Sequence, residues 1–339
     1  MRHALAMAAI LCLTAVTGLK GQEGPYHAGP VIQIGGEGGW DYLSIDSAAH
    51  RLYVSHATHV VVVDTQTNKI VGDIPDTPGV HGVAMSADLG RGFVSNGRGN
   101  NSSIFDLKTL KLIQKVETGE NPDWIMYEPS KKEVYTMNGR GKSSSVFDAT
   151  TGKVVATIPL EGKPETAQAD SKAGKIYVNM EDLNSIKVID IATHKVSATW
   201  PAAPCEAASG LAFDLTNHRL FLGCDNKLLV MMDSTNGKVV YSVPVGEGVD
   251  STWFDPQTKL AFTSNGGAGT VSVAHEDSPS VLKIVQTIKT VRGARTMALD
   301  PATHTIYLAA TDYEPQAPGS KDRPKAVAGT FRVLTYQMK

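Results

Sequence analysis

A unit that recurs about every forty residues narrows the possible folds more than any other feature of this sequence. The segment RLYVS at 51–55 has counterparts in RGFVS (91–95), EVYTM (133–137), KIYVN (175–179), RLFLG (219–223), LAFTS (260–264) and TIYLA (305–309). Their central aromatics are Tyr53, Phe93, Tyr135, Tyr177, Phe221, Phe262 and Tyr307, spaced by 40, 42, 42, 44, 41 and 45 residues. Each unit opens with a short apolar segment such as YLSI (42–45) or GVAM (82–85). A turn follows, opened by Asp46, Glu128, Asp170, Asp214, Asp255 or Asp300, with Ser86 as the exception. Next come the aromatic strand, a Gly/Asn-rich loop and a third strand ending in Asp, with Lys five positions later. The pairs are Asp64/Lys69, Asp106/Lys111, Asp148/Lys153, Asp190/Lys195 and Asp233/Lys238. An Asp there accepts backbone N–H bonds and fixes the turn into a fourth strand.

Four short turn-separated strands per unit, without helical periodicity, predict an all-β chain folded as a seven-bladed β-propeller. The seventh unit supplies three strands, the last being TFRVLTYQ (330–337), and PVIQIGG (30–36) is the expected fourth. An N-terminal strand closing the last blade removes the sheet edges that would otherwise invite aggregation. Length alone, at 339 residues, would suggest two domains, but repeat β folds run this long as one. One propeller domain is therefore expected over 22–339.

Residues 1–21 (MRHALAMAAILCLTAVTGLKG) carry a short basic start, an apolar run and then small residues, the pattern of a secretory signal peptide. The run is too short for a membrane span, and no other stretch approaches spanning length. A periplasmic or secreted location is the expectation. Removing Arg2 and Lys20 takes the formal charge from −2 to −4. A mildly acidic chain without basic clusters argues against nucleic acid as a partner. Cys205 and Cys224, both placed toward one face of the fifth unit, are expected to form a disulfide in an oxidising compartment.

Twelve positions before each aromatic, just ahead of the innermost strand, stand Asp41, His81, Asp123, Glu165, Ser209, Asp250 and Arg295. Three positions after it stand His56, Asn96, Asn138, Met180, Cys224, Asn265 and Ala310. Strand pairing puts both sets toward one mouth of the central channel, flanked by Trp40, Trp124 and Trp253. Convergent polar groups with aromatic walls are the default binding-site expectation. The plainer alternative is a wet loop surface, with Arg295 bridging Asp250 and Asp41 as a salt-bridge network and Asn-Gly pairs serving turns. Asp41, His81, Asp123 and Glu165 come from consecutive units and are the candidate ligands for a divalent cation. Side chains on opposite sides of the channel cannot share one ion, and no tight local metal motif is present. His81 with Asp41 or Asp123 also has the composition of a general base and its orienting partner, but no nucleophile elbow or phosphate loop accompanies them. In the sixth unit His275-Glu276-Asp277 replaces the usual turn and precedes an extended hairpin through 281–288. In the seventh, EPQAPGSKDRPKAVAG (314–329) is a long insertion, read first as disordered and otherwise as a lid or partner contact.

The units RLYVSHATHVVVVDTQTNKIVGDI and KIYVNMEDLNSIKVIDIATHKVSATW resemble the YVTN-type repeats of exported YncE-like β-propellers. The resemblance spans the expected mature chain, and YTMN and AFTS depart from its strict pattern. It implies a seven-bladed propeller outside the cytoplasm. It carries no catalytic residue, because the repeat motif consists of strand and turn positions. The leading functional expectation is a non-catalytic, monomeric binding protein that captures a small ligand or a partner protein at the mouth. The alternatives are a hydrolase resembling propeller lactonases and a redox-associated propeller resembling quinone- or haem-binding ones. No Cys-x-x-Cys-His motif is present, so covalent c-type haem is not expected.

Overall fold

The aromatic repeats do fold as blades. The computed structural model describes residues 24–315 and 324–339; the expected signal peptide, 1–21, lies outside the described residues. Seven antiparallel sheets stand in a ring, and we number them as blades 1–7 in chain order: 40–74, 80–117, 122–159, 164–201, 208–244, 249–289 and 297–338. The innermost strands are Trp40–Asp46, Val80–Ser86, Pro122–Glu128, Pro164–Asp170, Ala208–Asp214, Val249–Asp255 and Met297–Asp300. Each touches its two neighbours around the axis, including the seventh against the first. No helix among the described residues is long and apolar enough to cross a membrane.

The repeat residues have direct structural work. All seven aromatics are buried, none more than 4% exposed. Several reach the next blade: Tyr53 lies 6.0 Å from Phe105, Phe93 lies 6.1 Å from Phe147, and Phe221 stacks on Phe254 at 4.8 Å. Burying each ring contributes about 1.5–3 kcal/mol, so blade-to-blade cohesion is written into the repeat itself. Gly92 is required by the same packing, because a Cβ there would sit 2.0 Å from the Phe105 ring. The Asp that ends each third strand caps its turn. Asp64 Oδ1 accepts from Thr67 N at 2.7 Å and Thr67 Oγ1 at 2.8 Å, and Asp106, Asp148 and Asp190 repeat both bonds with Thr109, Thr151 and Thr193.

The first described strands and the last strand meet in blade 7. The last strand, Arg332–Met338, pairs with two N-terminal pieces, Tyr26–Ala28 and Ile32–Gln33. The registers are Tyr26↔Met338 and Ile32↔Val333. The outer strand thus starts earlier than the 30–36 expected from sequence and is broken around Gly29-Pro30. Pro30 has no N–H to donate, which accounts for the gap in the ladder. Tyr26 is further tied to blade 6, where the Gln286 amide exchanges two hydrogen bonds with its backbone at 2.9 and 2.8 Å.

Cys205 and Cys224 are disulfide-bonded, with Cα atoms 5.4 Å apart. The bond joins the loop entering blade 5 to the end of that blade's second strand. The sixth blade carries the expected long hairpin, Thr270–Ser278 against Val281–Lys289. The 314–329 insertion is paired at its described ends: Glu314 N donates to Lys325 O, Val327 N donates to Asp312 O, and Tyr313 bridges Ala326. These described parts are therefore ordered by backbone pairing, and the middle of the insertion, 316–323, lies outside the described residues.

Candidate functional site

The innermost strands bring the residues twelve before each aromatic to one rim of the channel. His81, on blade 2, stands between Asp41 of blade 1 and Asp123 of blade 3. Its Nδ1 lies 2.5 Å from Asp41 Oδ2 and 3.4 Å from Asp123 Oδ1. Its Nε2 faces Gly97, where a Cβ would come within 2.4 Å, so only glycine leaves the imidazole this place. Burial opposes charge on His81, but the Asp41 hydrogen bond and the charges of Asp123 and Asp41 outweigh it and raise the imidazole to about 9. Burial pushes the Asp123 carboxyl up to about 6, with His81 acting in the opposite direction.

Glu165 belongs to a separate group. Its carboxylate is 2.6 Å from Lys163 Nζ, which also contacts Glu181, and burial followed by the Asp123 charge holds it well above the usual range. Asp250 pairs with Arg295, Oδ2 to Nε at 3.4 Å, and burial raises it to about 7. Arg295 also donates to Trp40 O at 3.4 Å. Thus the bridge to Asp250 forms, whereas Asp41 is engaged by His81 rather than by Arg295 at ion-pair distance. The Tyr42 phenol sits inside this ring; burial, then the charges of Glu165, Asp123, Asp250 and Asp41, keep it well above its ordinary value.

The positions three after each aromatic do not reach the mouth. His56, Asn96, Asn138, Met180, Cys224, Asn265 and Ala310 are all buried to 2% exposure or less. They end a middle strand flanked by partners on both sides, so their side chains turn into the packed body of the blade. Asn96 donates to Asn101 and Ser103, Asn138 to Ser143 and Ser145, and Asn265 to Thr270 and Ser272. These three amides lock the loop of their own blade. His56 stacks on Phe331 at 4.9 Å with both ring nitrogens unpartnered, and burial lowers its pKa. The tryptophans separate as well. Trp124 packs edge-on against Tyr42 at 4.9 Å and, with Trp253, lines an apolar channel chamber of about 300 Å³ below the rim. Trp40 stacks on Phe331 at 5.2 Å and faces a different space.

That space is a cleft of about 1260 Å³ where blades 6, 7 and 1 meet. Trp40, Tyr313 and Phe331 supply aromatic surface; Asp250, Arg292, Arg295, Glu37, Glu314 and Lys325 supply charge; glycine backbone at 36, 38–39, 248 and 266–267 forms part of the wall. Trp40, Asp250 and Arg295 were expected at the mouth, but the remaining walls, Arg292, Tyr313 and Phe331 among them, come from positions outside the periodic set and were not anticipated. The run GGEGG at 35–39 was the available signal. A second missed feature is a serine two positions after the aromatic. Ser95 Oγ accepts from Gly82 N at 3.0 Å and donates to Asp123 O at 2.6 Å, clamping blades 2 and 3 beside His81. Ser55 accepts from Asp41 N at 2.9 Å, and Ser264 joins Ser251 N to the Arg295 carbonyl.

No protein-family model matches the chain, and no curated protein matches it in sequence. Among solved structures the chain is similar to Kuenenia stuttgartiensis hydrazine synthase, with a TM-score of 0.70 at 16% identity, over 87% of this chain and 96% of that one. At that identity the likeness concerns the propeller fold alone.

Proposed function

We propose that the chain is an exported propeller of the YVTN-like type that binds a small ligand on its channel-mouth face, in the cleft between blades 6, 7 and 1. One observation carries this reading: charged residues fixed by the repeat (Asp250, Arg295) open into a large concave space walled by Trp40, Tyr313 and Phe331. A cleft combining aromatic surface with a few oriented polar groups suits a small molecule that has a planar apolar part and a charged end. Export is supported by the signal-like N-terminus and by the Cys205–Cys224 bond, which belongs in an oxidising compartment.

The test is a thermal-shift screen of small aromatic acids, amines and zwitterions on wild type, Trp40→Ala and Arg295→Met. The reading expects a class that raises the wild-type Tm by about 2 °C or more, an effect of bound-state stabilisation, and loses that effect in both variants. A wild type indifferent to the whole panel contradicts it, as does a shift that survives both substitutions.

A second reading, hydrolysis of a lactone-like ester, draws support from the Asp41–His81 contact, which has the form of an orienting carboxylate and an acid–base imidazole. The second carboxylate at the same Nδ1 favours the protonated ring, and so an acid rather than a base. Turnover of a lactone panel that disappears in His81→Ala and Asp123→Asn would establish it.

A further inference from the structure

We propose that Asp41, His81 and Asp123 form a site for one divalent transition-metal ion at the channel rim. Three consecutive blades each deliver one side chain from the same register position, and a donor atom of each lies within 4.8 Å of the other two. The set is one imidazole nitrogen and two carboxylate oxygens. In a tetrahedral shell with bonds of about 2.0–2.2 Å, donor atoms stand roughly 3.3–3.6 Å apart. His81 Nδ1 and Asp123 Oδ1 already stand at 3.4 Å, and Asp41 Oδ2, at 2.5 Å from Nδ1, has only to withdraw by about 1 Å.

Charge separates this group from the rest of the rim. Glu165 is paired with Lys163 and Asp250 with Arg295. Among the described residues no Lys or Arg lies within ion-pair distance of Asp41 or Asp123; their one close partner is His81, itself a ligand type. Two carboxylates and a neutral imidazole balance a doubly charged ion, and binding releases the imidazole proton to solvent. The backbones are held in place: Ser55 and Thr296 fix Asp41 N and O, and Ser95 ties the His81 strand at Gly82 N to Asp123 O. The side chains keep 15–24% of their surface open, enough for water to complete the shell. Mixed nitrogen and oxygen donors in this number favour Zn²⁺, Mn²⁺, Co²⁺ or Fe²⁺ over Ca²⁺, which takes six to eight oxygens.

The inference does not depend on what occupies the cleft, and its test uses the metal alone. Chelator-treated full-length protein is titrated with ZnCl₂ by calorimetry and with CoCl₂ by visible absorption, for wild type, His81→Ala, Asp123→Asn and His275→Ala. The last removes the exposed His275–Asp277 pair, the competing explanation for weak surface binding. Circular dichroism verifies that each variant is folded. The expected result is one ion per chain, with affinity reduced at least tenfold by His81→Ala and by Asp123→Asn and unchanged by His275→Ala. Absence of saturable binding in wild type overturns the proposal. So does affinity retained within threefold in either rim variant, or lost in His275→Ala.

Discussion

Replacing Glu276 with Gln should stabilise the protein above neutral pH and have almost no effect near pH 4.5. Glu276 is 1% exposed at the end of a blade 6 strand, next to Asp214 of blade 5. Its Oε1 accepts only a long bond from Asn217 Nδ2 at 3.4 Å, and no donor faces Oε2 while Glu276 and Asp214 are both ionised. Burial first, then the Asp214 charge and hydrogen bond, raise its carboxyl from 4.5 to about 7. A folded value above the unfolded one means that the native state prefers the protonated acid. That preference stabilises fully below about 4.5 and is lost as pH rises through 7. The rise from 4.5 to about 7, in which the opposing Arg219 guanidinium is already included, corresponds to a ceiling of roughly 3.4 kcal/mol. An amide cannot ionise, and its NH₂ supplies Asp214 with a donor. The expected gain at pH 8 is therefore about 1.5–3 kcal/mol. With ~2.1 cal/mol/K per residue over some 300 residues, that is about 2–5 °C in Tm. Differential scanning calorimetry of wild type and Glu276→Gln at pH 5 and pH 8 measures it. An equal Tm difference at the two pH values, or a larger loss at pH 8, refutes the reasoning.

Three further outcomes are expected. Cys205→Ser with Cys224→Ser should cost about 3 kcal/mol, the loop-closure value for this span; the corresponding Tm drop checks it, and native protein that reacts with a thiol reagent would contradict the bond. Ser95→Ala leaves Gly82 N and the Asp123 carbonyl without their shared partner, so chemical denaturation should show a loss of about 1–3 kcal/mol; an unchanged midpoint would show that the clamp carries no load. Ile32→Asp places a charge at a site only 2% exposed against Val333, where it should strip the outer strand from blade 7 and expose the edge of Arg332–Met338. Size-exclusion chromatography should then show self-association, and a monodisperse, fully stable variant would speak against closure by this strand.

The blades were legible because their determinants are local and periodic. One aromatic per unit bridges to the next blade, and one Asp per unit caps a turn, so spacing alone disclosed them. The rim was legible for the same reason: Asp41, His81 and Asp123 share a register position, and the ring converts that into proximity. Other parts were hidden because they are not periodic. The cleft between blades 6, 7 and 1 joins the periodic Asp250 to Arg292, Tyr313 and Phe331, which no spacing relates to it. The burial of Asn96, Asn138 and Asn265 follows from strand partners on both sides and from amide bonds into their own blade, which a strand-end argument cannot anticipate. Pro30 interrupts the closing strand, so its first piece, Tyr26–Ala28, falls outside the 30–36 segment that the sequence pattern marks as the closing strand.

A high-resolution crystallographic map of the mouth, from protein purified from its native host without chelators, tests the central claim most directly. The account predicts electron density for a bound molecule between Trp40, Tyr313 and Arg295. Ordered solvent alone throughout that space, in protein that is otherwise intact and folded as seven blades, would contradict a binding role for this face.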